Sequence, residues 1–176
     1  MIKTTNLDLK KYIRSIPDFP KQGILFRDIT TLLGEKRAFR QAVDAMADKF
    51  KGKKIDAVVG IEARGFIFGG AIAHRLNAAF VPVRKKGKLP AKTNTVTYEL
   101  EYGTDTLEMH HDALKPNERV LIVDDLLATG GTVKAVTDLV KKSEAKIIGI
   151  AFLVELTDLK GKERLVGFPI SSLIKY

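Results

Sequence analysis

Cysteine is absent from the chain. Disulfides and thiolate chemistry are thereby excluded, and the composition suits a reducing compartment. No apolar run approaches the ~18 residues of a membrane-spanning helix. The opening segment, MIKTTNLDLKKYIR, lacks the apolar centre of a signal peptide. A cytoplasmic location, away from membranes, is expected. His74, His110 and His111 fall in no HExxH or other metal-ligand spacing. Neither GxGxxG nor GxxxxGK followed by Ser or Thr occurs, so the dinucleotide and Walker A fingerprints are both missing. Repeats and low-complexity tracts are missing too.

What remains is ordinary in bulk and specific in detail. A length of 176 residues, 45% apolar and 29% charged, fits one globular domain with a sizeable core. Thirty Lys and Arg outnumber 21 Asp and Glu, leaving a formal charge of +9. Nucleic-acid binding would favour a basic stripe interleaved with aromatics. A small polyanionic substrate would instead favour cations in loops beside a phosphate site. The clearest cluster is Arg84-Lys85-Lys86-Gly87-Lys88, which follows a strand-like run. It favours the second reading, with the rest of the excess spread over solvated surface.

Leu9, Tyr12, Ile13 and Ile16 mark one face of a short first helix, stopped by Pro17. Residues 18–31 read as irregular, punctuated by Pro20 and Gly23. Phe39, Ala42, Val43, Met46 and Phe50 recur at helical spacing, which predicts an amphipathic helix over 36–51. Residues 55–61 read as a buried strand, 65–76 as a helix and 80–83 as a strand. Residues 85–95 read as a mobile, basic loop. Val96, Tyr98, Leu100 and Tyr102 alternate up to a Gly103-Thr104 turn, and Leu107 and Met109 alternate after it, giving a hairpin. Val133, Val136, Leu139 and Val140 give another helix face. Residues 147–156 and 168–174 read as the last strands. Strands alternating with helices predict right-handed βαβ units and a mainly parallel twisted α/β sheet. Ligands then bind beyond the carboxyl ends of the strands.

The stretch VLIVDDLLATGGT, residues 120–132, is the most specific feature. An apolar strand runs into Asp124 and Asp125, then a loop with Thr129, Gly130, Gly131 and Thr132 opens a helix. Backbone N–H groups and the positive end of a helix dipole suit a phosphate. The carboxylates can accept from sugar hydroxyls or meet a metal ion. Topology brings residues 62–65, 84–88 and 124–132 to one sheet edge. An Arg-Gly turn, a cationic loop and a cradle with acids suit a ligand with phosphates at two ends and a polar middle.

These residues resemble the purine phosphoribosyltransferases, and within them the adenine branch. VLIVDDLLATGGT is similar to their signature for 5-phosphoribosyl-1-pyrophosphate, the activated ribose donor. FPKQGILFRDIT (19–30), GIEARGFIFG (60–69), VRKKGKLP (83–90), YELEYG (98–103) and VELTDLKGKERL (154–165) match in order over nearly the whole chain. The resemblance implies a type I phosphoribosyltransferase fold with a small hood. Residues 1–34 and the hairpin loop at 84–110 would form that hood. It further implies transfer of the phosphoribosyl group to adenine, giving AMP and pyrophosphate, with Mg²⁺ and a homodimer.

The implied reaction would pass through an oxocarbenium-like transition state, so positioning and electrostatics would carry the chemistry. The resemblance implies a 5′-phosphate on the N–H groups of Ala128, Thr129, Gly130, Gly131 and Thr132. Asp124 and Asp125 would face the ribose hydroxyls. Mg²⁺ would ride mainly on substrate oxygens and water, with Asp124 the candidate direct ligand. Pyrophosphate would meet Ala63, Arg64 and Gly65, with Arg84, Lys85 and Lys88 clamping it, in cis or across a dimer interface. A cis non-proline bond is implied near Glu62-Ala63. Phe26 would stack on adenine while the backbone of Leu25 and Arg27 reads its edge, with Leu156 a candidate second wall. Glu101 is the implied acid/base group near adenine's imidazole nitrogens, and Tyr102 would cap the closed site as a lid that excludes water.

Two other readings stay open. A relative could transfer ribose phosphate to an oxopurine such as guanine or xanthine. A donor-sensing regulator could use the same fold without catalysis, although a DNA-binding domain ahead of the core is not expected.

Overall fold

The computed structural model describes residues 6–99 and 103–176. These form two compact units, 1–45 and 46–176.

In the first unit, a 3-10 helix, Leu9–Tyr12, is capped by Asp8, whose carboxylate accepts the Lys10 N–H at 3.2 Å. The expected helix does not reach Ile16. The backbone turns extended at Ile13, and strand β1 (Arg14–Ile16) pairs antiparallel with β2 (Phe26–Asp28). An ion pair decides this: Arg14 Nη2 meets Asp28 Oδ2 at 2.5 Å across the pair. Asp28 also accepts the Thr30 N–H at 2.9 Å, which starts the short helix α1 (Thr30–Gly34). The Thr30 N–H, and then Arg14, hold the Asp28 carboxyl down at a pKa of about 2. Helix α2 (Lys36–Asp48) follows, three residues shorter than its apolar periodicity suggests. The chain tightens after it, with the Phe50 N–H on the Ala47 carbonyl at 2.9 Å, so Phe50 is buried from a turn rather than from the helix.

The second unit is built on a seven-stranded sheet of order β5-β6-β4-β3-β7-β8-β9. Its strands are β3 (Ala57–Ile61), β4 (Ala79–Lys85), β5 (Thr93–Glu99), β6 (Thr104–His110), β7 (Arg119–Leu127), β8 (Lys146–Glu155) and β9 (Ile170–Lys175). The five strands β4, β3, β7, β8 and β9 run parallel, and the hairpin β5–β6 joins antiparallel along β4. Strands β3, β7 and β8 are buried on both faces over most of their length, which is why they read as continuous apolar runs. Helix α3 (Gly65–Leu76) follows β3, and α4 (Gly131–Lys142) follows β7. Val133, Val136, Leu139 and Val140 of α4 enter a core with Val59, Val120, Ile122 and Phe152. Helices on crossovers after β3 and β7 put two helix N-termini at one end of the sheet.

Two boundaries differ from the sequence reading in ways that matter. Strand β7 continues through Asp124 and Asp125 to Leu127, because Asp124 pairs with Phe152 and Leu126 with Val154 of β8. The strand carries both acids, as expected, and ends two residues beyond them. The expected basic loop is also shorter. Strand β4 runs to Lys85, Arg84 and Lys85 pair with Glu108 and Leu107 of β6, and β5 begins at Thr93.

Candidate active site

A cavity of about 280 Å³ lies where β3 and β7 end. Ile61, Glu62, Ala63 and Arg64 line one side, and the unbroken stretch 124–133 lines the other. Sequence-predicted Ala63, Arg64, Asp124, Asp125, Ala128, Thr129, Gly130, Gly131 and Thr132 are thus brought together. Gly65 and the cations Arg84, Lys85 and Lys88 stand outside this lining.

The cradle is made of backbone. Gly130 caps α4 in the left-handed region, φ +83°, and Gly131 opens the helix. A side chain on Gly130 would run into the carbonyl of Gly161, and one on Gly161 would run into the carbonyl of Ala128. The 3-10 helix Gly161–Leu165 therefore packs directly on the loop and fixes its path. The N–H groups of the first turn of α4 have no partner inside the helix, so they are available to an anion. Thr132 adds a hydroxyl, 3.3 Å from the Tyr98 hydroxyl of β5.

The acid pair sits at the cavity floor. Burial and the neighbouring Asp125 charge push the Asp124 carboxyl well above the usual carboxylate range. Burial also raises Asp125, against the pull of Arg64, whose Nε lies 2.9 Å from Asp125 Oδ2. Asp124 Oδ1 accepts the Asp125 N–H at 2.9 Å. Such acids are costly in an apolar setting unless a ligand or cation compensates them. Gly65 also has a local packing reason. A side chain there would stand 2.7 Å from Asp124 Oδ1, so the missing Cβ lets α3 abut the end of β7.

The turn before α3 behaves as expected in one respect: the Glu62-Ala63 bond is cis. Arg64 precedes the first residue of α3, at the positive end of that helix.

The remaining predicted cations are organised by two carboxylates that the sequence reading missed. Glu62, with only 8% of its side chain exposed, accepts Arg84 Nε, the Lys85 N–H and Lys88 Nζ, each at 3.0 Å. Buried Glu108 accepts the N–H groups of Lys88 and Leu89 at 3.0 Å and the Thr93 hydroxyl at 3.4 Å. Burial raises both carboxyls, but these partners outweigh it and hold them below the usual range. Lys85 turns instead to Asp105, 3.1 Å away, which raises its ammonium.

In the first unit, Leu25 is exposed and Phe26 half-buried, edge-on to Phe19 at 5.1 Å between ring centres. Arg27 donates to the Ser15 hydroxyl. Phe26 is thus not a plain core residue. Leu156, half-buried, donates its N–H to the Leu127 carbonyl at 2.9 Å. Glu101 and Tyr102 lie outside the described residues.

For a divalent cation, the donor set is sparse. Among the described residues no group of three or more His, Asp or Glu side chains is placed to hold a metal. Asp124 alone offers a cavity carboxylate without a salt bridge among those residues, so Mg²⁺ fits here only if a bound molecule supplies most of its oxygens. No helix among the described residues is long and apolar enough to cross a membrane.

The phosphoribosyl transferase domain model matches residues 30–167. An adenine phosphoribosyltransferase of Brachyspira hyodysenteriae is 56% identical over 97% of this chain and 100% of its own length. The crystal structure of adenine phosphoribosyltransferase from Thermoanaerobacter pseudethanolicus superposes with a TM-score of 0.94 at 52% identity, covering 98% of this chain and 100% of that one. The Saccharomyces cerevisiae enzyme, solved with an imino-altritol bisphosphate and adenine, gives a TM-score of 0.89 at 40% identity over 94% and 96% of the two chains. With the cradle, the acid pair and the Arg64 turn converging on one sheet end, and with likeness over nearly its full length, the chain belongs to the adenine phosphoribosyltransferase family.

Proposed function

We propose that the chain transfers the 5-phosphoribosyl group from 5-phosphoribosyl-1-pyrophosphate to adenine, giving AMP and pyrophosphate in purine salvage. The observation that carries this is the cavity itself, where two helix N-termini, two adjacent acids and Arg64 surround a space for a doubly phosphorylated sugar. The yeast relative, solved with a bisphosphate and adenine together, supports the same pairing of ligands.

In this reading the 5′-phosphate rests on the backbone N–H groups of residues 128–132, aided by Thr129 and Thr132 hydroxyls. Asp124 and Asp125 take the ribose hydroxyls and offset positive charge as the glycosidic carbon loosens from the diphosphate oxygen. Arg64 gives its guanidinium fork to the leaving pyrophosphate, and Arg84, Lys85 and Lys88 add charge beside it. The N9 nitrogen of adenine forms the new bond. Glu101 accepts or stabilises the proton released from the imidazole ring, and Tyr102 closes over the site. Phe26, with the backbone of Leu25 and Arg27, holds the base.

Mg²⁺ belongs to the same proposal. Asp124, with oxygens of the donor, would hold it, and the ion would supply charge screening that favours departure of the diphosphate. A homodimer belongs to it as well. Ile67 of α3 and Phe80 of β4 are 40% and 36% exposed, with Phe66 against Phe80, an apolar strip that a second copy would cover. Light scattering reads that state directly. Action in the cytoplasm fits a chain without cysteine.

Incubation with adenine, donor and Mg²⁺ should yield AMP and pyrophosphate in equal amounts. Glu101→Gln should lower turnover by about 10²–10⁴-fold, the usual worth of acid–base help. Full turnover in that variant would refute the role given to Glu101. Salt-sensitive DNA binding without AMP formation would refute the enzyme and favour a donor-sensing regulator.

A further inference from the structure

We propose that Glu62 is a positioning residue for the leaving pyrophosphate: its buried carboxylate holds Arg84 and Lys88 in place so that their remaining donors meet the diphosphate. The inference rests on the transferase reading above and assigns a role to a side chain that this reading leaves without one.

Glu62 directly follows the last residue of β3, and its N–H donates to the Val83 carbonyl at 3.0 Å. Its backbone is therefore tied to β4 at the level of the cavity, and the residue lines that cavity beside Ala63 and Arg64. A carboxylate this deep is costly unless it is paired. Here Oε2 takes Arg84 Nε and the Lys85 N–H, and Oε1 takes Lys88 Nζ, all at 3.0 Å. One carboxylate thus gathers a cation of strand β4 and a cation past the turn that follows it.

Donor arithmetic favours a holder over a simple surface staple. A guanidinium has five N–H donors and an ammonium three. Arg84 gives Nε to Glu62 and one Nη1 donor to the Lys88 carbonyl at 3.1 Å. Its Nη2 has no partner among the described residues, and Lys88 spends one Nζ donor on Glu62. Both side chains remain partly open to solvent, at 36% and 49% exposure, while the carboxylate between them is covered. Two positive charges against one negative leave the group net cationic. An arriving diphosphate meets aligned donors whose side-chain entropy is already largely lost. Glu108 supports the arrangement from the other side by fixing the Lys88 and Leu89 amides.

The test is a double-mutant cycle on the full chain with adenine and donor. Glu62→Gln keeps the shape and removes the charge. It should raise the donor KM and the pyrophosphate product-inhibition constant at least tenfold, with the adenine KM within twofold of wild type. In an Arg84→Ala, Lys88→Ala background the same change should add less than twofold, because the groups it positions are gone. The proposal is overturned by an unchanged pyrophosphate constant, by tighter pyrophosphate binding, or by an equal factor in both backgrounds. Should Glu62→Gln fail to fold, the Arg84→Ala, Lys88→Ala variant still decides: wild-type pyrophosphate inhibition there contradicts the proposal. Failure of the underlying reading shows separately, as absence of AMP formation by the wild-type chain.

Discussion

The loop after β7 offers backbone N–H groups to a ligand, on a path fixed by Gly130 against Gly161. The ends of β3 and β4, by contrast, carry guanidinium and ammonium side chains whose positions are set by Glu62, Glu108 and Asp125. Their acids also titrate in opposite senses. Burial raises Asp124 and Asp125, so the cradle keeps its acids at an electrostatic cost. Partners depress Glu62 and Glu108, so the carboxylates of the cationic side are already paired, while Arg84 and Lys88 keep donors to spare. In the proposed reading, one end of the donor would be met by a backbone surface and the other by preassembled charge.

The largest break in this comparison should come from the cradle. Gly130→Ala puts a methyl group against the Gly161 carbonyl in a left-handed position that costs a side-chain residue about 1–2 kcal/mol. A displaced loop misplaces the ribosyl centre, so kcat/KM for the donor should fall about 100-fold. Steady-state kinetics checks it, and a change below threefold would show that the loop yields.

Arg64→Ala should come next. It removes charged hydrogen bonds worth about 1.5–3 kcal/mol and leaves Asp125 without its cation. The donor KM should rise about 10–100-fold, and unchanged donor affinity would take Arg64 out of the pyrophosphate site.

The mildest probe is acid. Glu62 and Glu108 have folded pKa values below their unfolded ones, so their contribution is complete above the unfolded value of 4.5. It is lost as pH falls through the depressed folded values. The amide signals of Lys88 and Leu89 should shift only in that acid range, as Glu108 protonates. A transition near pH 6 would contradict the assigned pairing.

Legibility in the sequence follows the same division. A backbone cradle needs a particular order of small residues, so Asp124 through Thr132 could be read directly, as could α3 and the hairpin. Side-chain scaffolding leaves no such trace. Glu108 lies between Leu107 and Met109 on the strand face opposite to theirs and looks solvated, yet it is buried because the 87–93 turn folds over it. The one available signal was its register opposite Arg84, which only the paired strands reveal. The first helix was misread for a related reason: apolar spacing at Leu9, Tyr12 and Ile13 is local, whereas the Arg14–Asp28 ion pair that turns the chain into β1 is not.

The central claim is phosphoribosyl transfer to adenine, and competition among bases tests it most directly. With donor, Mg²⁺ and equal adenine, hypoxanthine, guanine and xanthine, the account predicts AMP as the dominant product, released with one pyrophosphate each. Preferential formation of an oxopurine nucleotide, or no nucleotide at all, would contradict it.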